Sequence, residues 1–300
     1  MATLPVVAKV TETDFLKGIS KMRKTLLSAV TLLALALPAG AQTLDRIKDT
    51  KELKLGFRTD AAPLSFAGEG GRPDGYSPML CAEIAQAIAN ILRMEELNAV
   101  FYPVGTQDRF DKVASGDIDL LCGAATITLR RREIVDFSVP TYVDGVAILL
   151  PQDGPEHLED FAGKTVGVRS GTTTQEALNN SLNAAGVAAE IKVFEDHAEG
   201  VAALESGDIA AYFADQSILY NLYANSAAKD TLKVTGEILT IEKHGLALAR
   251  GDSEFRLVVD AALSQLYASG RMEEIFAEAL PGVTPGLAVR AMHLIAPTIP

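Results

Sequence analysis

From residue 53 onward, short apolar runs of strand length alternate with longer stretches whose apolar residues recur every three or four positions. That alternation is the tightest constraint on the fold. Strands separated by helices tend to return in the same direction, giving parallel-rich sheets covered by helices. The pattern predicts strands at 53–57, 100–102, 120–122 and 143–150, then at 165–168, 191–194, 210–213 and 246–249. It predicts helices at 78–92, 107–115, 172–184, 197–206, 216–224, 254–268 and 272–280. The alternation restarts near residue 165, and a short echo accompanies it. KVASGDIDLL at 112–121 resembles ALESGDIAAY at 203–212, each a helix end, a Ser-Gly-Asp turn and a buried strand. The echo points to two similar lobes, although such a turn is common. Residues 281–300 contain four prolines and no clear helix cap, so they are expected to wrap the surface or be partly disordered.

The N-terminus reads as export signal. Lys21, Arg23 and Lys24 precede an apolar run at 26–37, then Pro38, Ala39, Gly40 and Ala41. A basic start, a short apolar core and a small-x-small end make a secretory signal peptide, with cleavage expected after Ala41. The run is shorter than the roughly 20 residues a membrane span needs. Residues 1–21 carry no pattern, and Met22 reads as the real initiator. Beyond residue 41 the chain carries 22 Lys and Arg against 37 Asp and Glu, a net charge of −15. So acidic a chain is a poor partner for nucleic acid or anionic membranes. Two cysteines remain, Cys81 and Cys122. An even count in an oxidising compartment permits a Cys81–Cys122 disulfide, the alternative being two buried thiols. Neither cysteine has metal-type neighbours, and the glycine-rich turn at 69–75 lacks the Lys-Ser/Thr of a phosphate loop. Nothing in the sequence asks for a metal or cofactor.

Residues 116–142, GDIDLLCGAATITLRRREIVDFSVPTY, resemble the polar-amino-acid-binding components of ABC transporters. GYSPML at 75–80, LEDFAGKTVGVRSGTTT at 158–174, ESGDIAAYFADQ at 205–216 and ASGRMEEIF at 268–276 continue the resemblance in order. Departures are small: Ser77 and Pro78 follow the Gly-Tyr, and Ala124 stands where Ser is common. The resemblance implies a type II periplasmic binding protein, two α/β lobes joined by a two-strand hinge. Lobe 1 would be 43–142 plus 242–300, and lobe 2 would be 143–241. It also implies a monomer that closes on its ligand and delivers it to an inner-membrane ABC permease.

The same resemblance implies the ligand set. A free amino acid needs a fixed cation for its α-carboxylate and an acceptor for its ammonium. Arg131 matches the carboxylate-gripping arginine, and a guanidinium suits that role through paired donors. Ala124 counts with the ligand wall, and Thr126 offers an N–H and a hydroxyl. Thr172, at a helix start, is expected to help hold the α-carboxylate, with N-capping as its ordinary alternative. Asp215 matches the acid that accepts the ammonium, again with N-capping as the alternative. Arg58, Arg109 and His197 match positions where glutamate/aspartate binders place cations around the side-chain carboxylate. Thr106 and Thr173 are candidates for hydroxyl contacts. Arg130 and Arg132 read as solvated charges. The expected ligand is therefore glutamate or aspartate, with a broad-specificity amino-acid binder as the alternative. A cyclohexadienyl-dehydratase-like enzyme is a more distant alternative. No H-E-x-x-H occurs, and 167–171 reads G-V-R-S-G rather than G-x-S-x-G, so no nucleophile announces itself.

Overall fold

The computed structural model describes residues 42–155, 157–236 and 238–298. The expected leader and initiator lie outside the described residues. Two five-stranded sheets, each covered by helices, make two α/β lobes. The first sheet runs Asn98–Val104, Glu52–Arg58, Leu120–Cys122, Ala247–Ala249, Val135–Phe137. The second runs Glu190–Phe194, Thr165–Arg169, Ala211–Asp215, Val146–Pro151, Leu232–Val234. In both, three parallel strands come first and an antiparallel strand follows.

The sheets form around central strands that are apolar on both faces, as parallel strands buried under helices must be, while the edge strands Asn98–Val104 and Glu190–Phe194 stay partly exposed. Leu53, Leu55, Leu120 and Leu248 pack with Ile84, Ile88, Phe255, Leu263 and Ile275 from helices Tyr76–Ile91, Ser253–Ser269 and Arg271–Ala279. In the second lobe Val166, Val168 and Phe213 meet Leu178 and Leu182 of helix Thr173–Ala185. Phe194, Tyr212 and Leu149 meet Val201, Leu204 and Leu219 on the other face. The echoed turns are real counterparts: Gly116 and Gly207 both sit at positive φ, where a side chain is disfavoured, after a helix and before a strand.

Between the lobes, Tyr142–Asp144 pairs antiparallel with Glu242–His244. These two strands are the hinge. The strand expected over 143–150 is in fact broken at Gly145, with Val146–Pro151 belonging to the second sheet. A Cβ at Gly145 would fall 2.1 Å from the Thr240 carbonyl oxygen, so the crossing requires glycine. The Asp144-Gly145 pair is the local mark of this break. A second correction concerns the C-terminus: Leu287–Ile295 is a helix. No side chain caps it, but Val289 and Met292, one turn apart, bury in the first core. Tertiary packing stabilises a short helix that local signals do not announce. Among the described residues no helix is long and apolar enough to cross a membrane.

Cys81 on helix Tyr76–Ile91 is bonded to Cys122 on strand Leu120–Cys122, 41 residues apart in sequence. Closing a loop of that length is worth about 4 kcal/mol by chain entropy. A Cys81→Ala, Cys122→Ala double variant is expected to lose ~3–4 kcal/mol in urea unfolding. An unchanged midpoint would show that the bridge adds nothing.

Candidate functional site

The parallel strands of both sheets end at one place. Arg58 ends Glu52–Arg58, and Ala124 and Thr126 follow Leu120–Cys122. From the other lobe, Arg169 ends Thr165–Arg169 and Asp215 ends Ala211–Asp215. His197 begins the helix after Glu190–Phe194, and Thr173 the helix after Arg169. Ligands of open α/β sheets bind at these carboxyl ends, where chains turn away and leave side chains free to converge. Here they line one shared pocket. Arg58, Arg109, Ala124, Thr126 and Arg131 come from the first lobe. Arg169, Thr172, Thr173, His197 and Asp215 come from the second. Nine of the ten sequence-predicted residues therefore share one wall, together with Arg169.

Thr106 is the exception. It lines a neighbouring groove with Phe110, Gly171 and Thr172. Its Oγ1 is buried and makes no hydrogen bond within the protein, and its side chain packs against Gly171 of the opposite lobe. It is an interlobe contact rather than part of the central wall.

The guanidiniums differ in how much of their donor capacity is used. Arg58 gives Nε and Nη2 to Asp60 Oδ1 at 2.9 and 2.5 Å. Arg169 crosses the cleft to the other oxygen, Oδ2, at 2.8 Å. Asp60 thus clamps one cation from each lobe. Burial pushes its carboxyl up, but Arg58 and Arg169 outweigh that and bring it down to about 2. Arg131 donates to the Thr126 carbonyl at 2.8 Å. Arg109 donates only to the Ala124 carbonyl, at 3.2 Å, and its buried Nε has no partner. Both Arg109 and Arg131 lie 4.9 Å from the Phe110 ring centre, which keeps them side by side. Burial and the neighbouring Arg58 and Arg131 push the Arg109 pKa well below its usual value. Arg109 is a buried charge with no ion pair of its own, attracted only at longer range by Asp215 and Asp60.

His197 is a correction. The cation expected there is a neutral imidazole. Its Nδ1 is 3.0 Å from the Tyr212 hydroxyl. Burial, then Arg58, push its pKa down to about 3. A residue's type shows in the sequence, but its charge depends on burial, which does not. Arg130 is exposed, as expected of a solvated charge, and meets Glu176 of the second lobe at 2.9 Å on the rim.

Asp215 makes no cap hydrogen bond to the helix it precedes, so the capping alternative fails. Thr172 does cap its helix, accepting from the Gln175 N–H at 3.2 Å. Burial and the nearby Glu242 raise the Asp215 carboxyl to about 7, against the pull of Arg58, Arg131 and Arg109. His244, with both ring nitrogens buried and unbonded, stands 3.6 Å from it.

Arg169, Asp60 and Glu242 are the site residues that the motifs did not mark. Arg169 directly precedes the SGTTT turn, so an arginine at a strand end was its one visible signal. Asp60 lies two residues beyond Arg58, and nothing local reveals its partner 109 residues away.

A family model for bacterial extracellular solute-binding proteins, family 3, matches residues 53–281. The chain belongs to that family. An L-glutamate/L-aspartate-binding protein of Pseudomonas aeruginosa is 33% identical over 236 residues, 78% of each chain. A glutamine-binding ABC transporter protein of Bacillus subtilis is 28% identical, covering 78% of this chain and 83% of its own. Among solved structures, an ancestral amino-acid-binding protein described as a precursor of cyclohexadienyl dehydratase matches with TM-score 0.69 and 27% identity. That match covers 79% of this chain and 98% of the other. The chain has the type II bilobal fold, with the hinge strands Tyr142–Asp144 and Glu242–His244 between the lobes.

Proposed function

We propose that this family 3 protein is the periplasmic capture component of an amino-acid ABC importer, and that its ligand is glutamate or aspartate. The lobes are those bounded by the hinge, 43–142 with 242–300 and 143–241. Arg131 grips the α-carboxylate with the N–H groups at Thr172 and Thr173, where a helix start favours an anion. Asp215 takes the ammonium. Arg109 and Arg58 face the side-chain carboxylate, and His197 offers a neutral hydrogen bond beside them.

One observation carries the acidic ligand: Arg109 is buried without an ion pair. Four guanidiniums line the cavity, Arg58, Arg109, Arg131 and Arg169. Asp60 holds Arg58 and Arg169, the exposed Glu195 also reaches Arg169 at 3.5 Å, and Asp215 and Glu242 stand on the other side, which leaves Arg109 without an ion pair and with donors to spare. An acidic amino acid brings a second carboxylate that can pair with Arg109. Glutamine leaves the cation buried and unpaired, which costs several kcal/mol. The P. aeruginosa relative supports this reading by its name; the B. subtilis relative is the reason to test it. A thermal-shift screen against amino acids and dicarboxylates should give its largest midpoint rise with glutamate or aspartate, by mass action on the folded form. A larger rise with glutamine or a basic amino acid overturns the assignment.

Binding should also depend on pH. Asp215 must be ionised to accept an ammonium, and its carboxyl sits near 7. Below that pH a proton must leave on binding, so affinity falls as the solution is acidified. Between pH 7.5 and 5.5 the loss is expected to be on the order of tenfold or more. Calorimetry in two buffers of different ionisation enthalpy should show proton release at pH 6. Asp215→Asn should flatten the dependence, and an unchanged slope in that variant would remove Asp215 from the role.

The raised Asp215 carboxyl beside carboxylate-gripping arginines is also what a dehydratase would use as a general acid. Transport accounts for it more simply, as the ammonium partner. Incubation with prephenate or arogenate, followed by ultraviolet absorbance, distinguishes the two: an aromatic product establishes the enzyme.

A further inference from the structure

Glu242 opens the second hinge strand, is buried, and stands just behind the cavity wall. Three hydroxyls converge on it. Thr126 Oγ1 of the first lobe donates to Glu242 Oε2 at 2.6 Å. Thr173 Oγ1 of the second lobe donates to the same oxygen at 2.7 Å. Thr240 Oγ1 donates to Oε1 at 3.1 Å. The first two hydroxyl oxygens lie 3.2 Å apart, and both threonines line the cavity.

A hydroxyl has one proton, and a carboxylate has none to give. Once Thr126 and Thr173 commit their protons to Glu242, only lone pairs are left to face the cavity. Such hydroxyls repel a carboxylate or carbonyl oxygen and attract an N–H. We infer that Glu242 is a positioning residue that fixes the polarity of these two hydroxyls, making them acceptors for the ligand's ammonium. This inference rests on the amino-acid reading of the site and deepens it.

The consequence is a division of labour that residue types alone do not reveal. Threonine hydroxyls are donor or acceptor as their surroundings dictate. With Glu242 behind them, Thr126 and Thr173 join Asp215 on the ammonium side. Gripping the α-carboxylate is left to Arg131 and the backbone N–H groups. Thr126 comes from one lobe, Thr173 from the other and Glu242 from the hinge, so the acceptor pair is complete only when the cleft is closed. Closure and ammonium recognition are then one event. A 2-oxo acid, which presents a carbonyl oxygen where the amino acid presents its ammonium, meets lone pairs and is rejected.

The test is a ratio of affinities, measured by titration calorimetry with glutamate and with 2-oxoglutarate. The intact protein should prefer glutamate by at least ~100-fold, the sum of one lost charged hydrogen bond and one repulsion. In Glu242→Gln the amide can donate, one hydroxyl proton is released toward the cavity, and the ratio should narrow at least tenfold. In Thr126→Val and Thr173→Val, glutamate should weaken while 2-oxoglutarate holds or improves. A merely structural role for Glu242 would weaken both ligands equally and leave the ratio unchanged; that result overturns the inference, as does equal weakening in the two valine variants. If the screen returns a different amino acid, the same ratio is measured with that amino acid and its 2-oxo counterpart. Failure of the acidic-ligand reading is therefore separable from failure of this one.

Discussion

Replacing Arg109 by Met is expected to make the ligand-free protein harder to unfold and, at the same time, to remove most of its affinity for an acidic ligand. Arg109 is 2% exposed, donates to one carbonyl, and leaves its Nε without a partner. Its surroundings add repulsion from Arg58 and Arg131. A buried cation so poorly compensated destabilises the fold, and an apolar replacement of similar volume is expected to raise stability by roughly 1–3 kcal/mol. The same charge is what the ligand carboxylate is expected to meet. Its removal should weaken binding by roughly 2–5 kcal/mol, from about 30-fold to a few thousandfold. Urea unfolding without ligand and calorimetry with glutamate measure the two effects independently. A variant that binds normally removes Arg109 from the ligand's carboxylate; a variant that unfolds more easily shows that the guanidinium has a partner in solution. Opposed effects of this sort are what a functional site costs the fold.

Asp60→Asn should act in the opposite sense on stability. Asp60 joins Arg58 and Arg169, both deeply buried. Neutralising it leaves two cations facing each other, and breaking a buried pair in this way costs about 3–5 kcal/mol. The pH dependence follows from the direction of the shift. The folded carboxyl titrates near 2, below its usual value. Its contribution is therefore complete above about pH 4 and is lost as pH falls toward 2. Acid unfolding should begin at higher pH in the variant, and its neutral-pH midpoint should already be lower. An unaltered unfolding curve would mean that Arg58 and Arg169 find other partners. The clamp bears on function as well, because the Arg169 bond crosses the cleft and is made only when the lobes meet.

Much of this arrangement was legible in the sequence. Strand and helix periods pointed to helix-covered parallel sheets, and the internal echo with the family resemblance pointed to two lobes. The site residues Arg58, Thr126, Thr172 and Asp215 came from the family resemblance, and the structure places them at or just beyond strand ends. What was not legible depended on pairs distant in the chain. Asp60 and Arg169 are ordinary surface residue types until the lobes close on each other. Glu242 sits in an unremarkable stretch, IEKHG, and gains its role from hydroxyls 69 and 116 residues away. The hinge break at Gly145 was marked only by the Asp144-Gly145 pair, and the approach of Thr240 is what shows why a side chain cannot fit. His197 was visible as a residue but not as a charge. The final helix, Leu287–Ile295, lacks a capping side chain and was visible only through the spacing of Val289 and Met292.

The central claim is that Arg109 is buried in the cleft without an ion pair, and that the ligand supplies its counterpart. Titration calorimetry at pH 7.5 with glutamate and glutamine tests it most directly, because the two ligands differ by one charge and almost nothing in shape. Glutamate bound at least tenfold more tightly, about 1.4 kcal/mol, is the expected result. Equal affinity for the two, or tighter binding of glutamine, would contradict it.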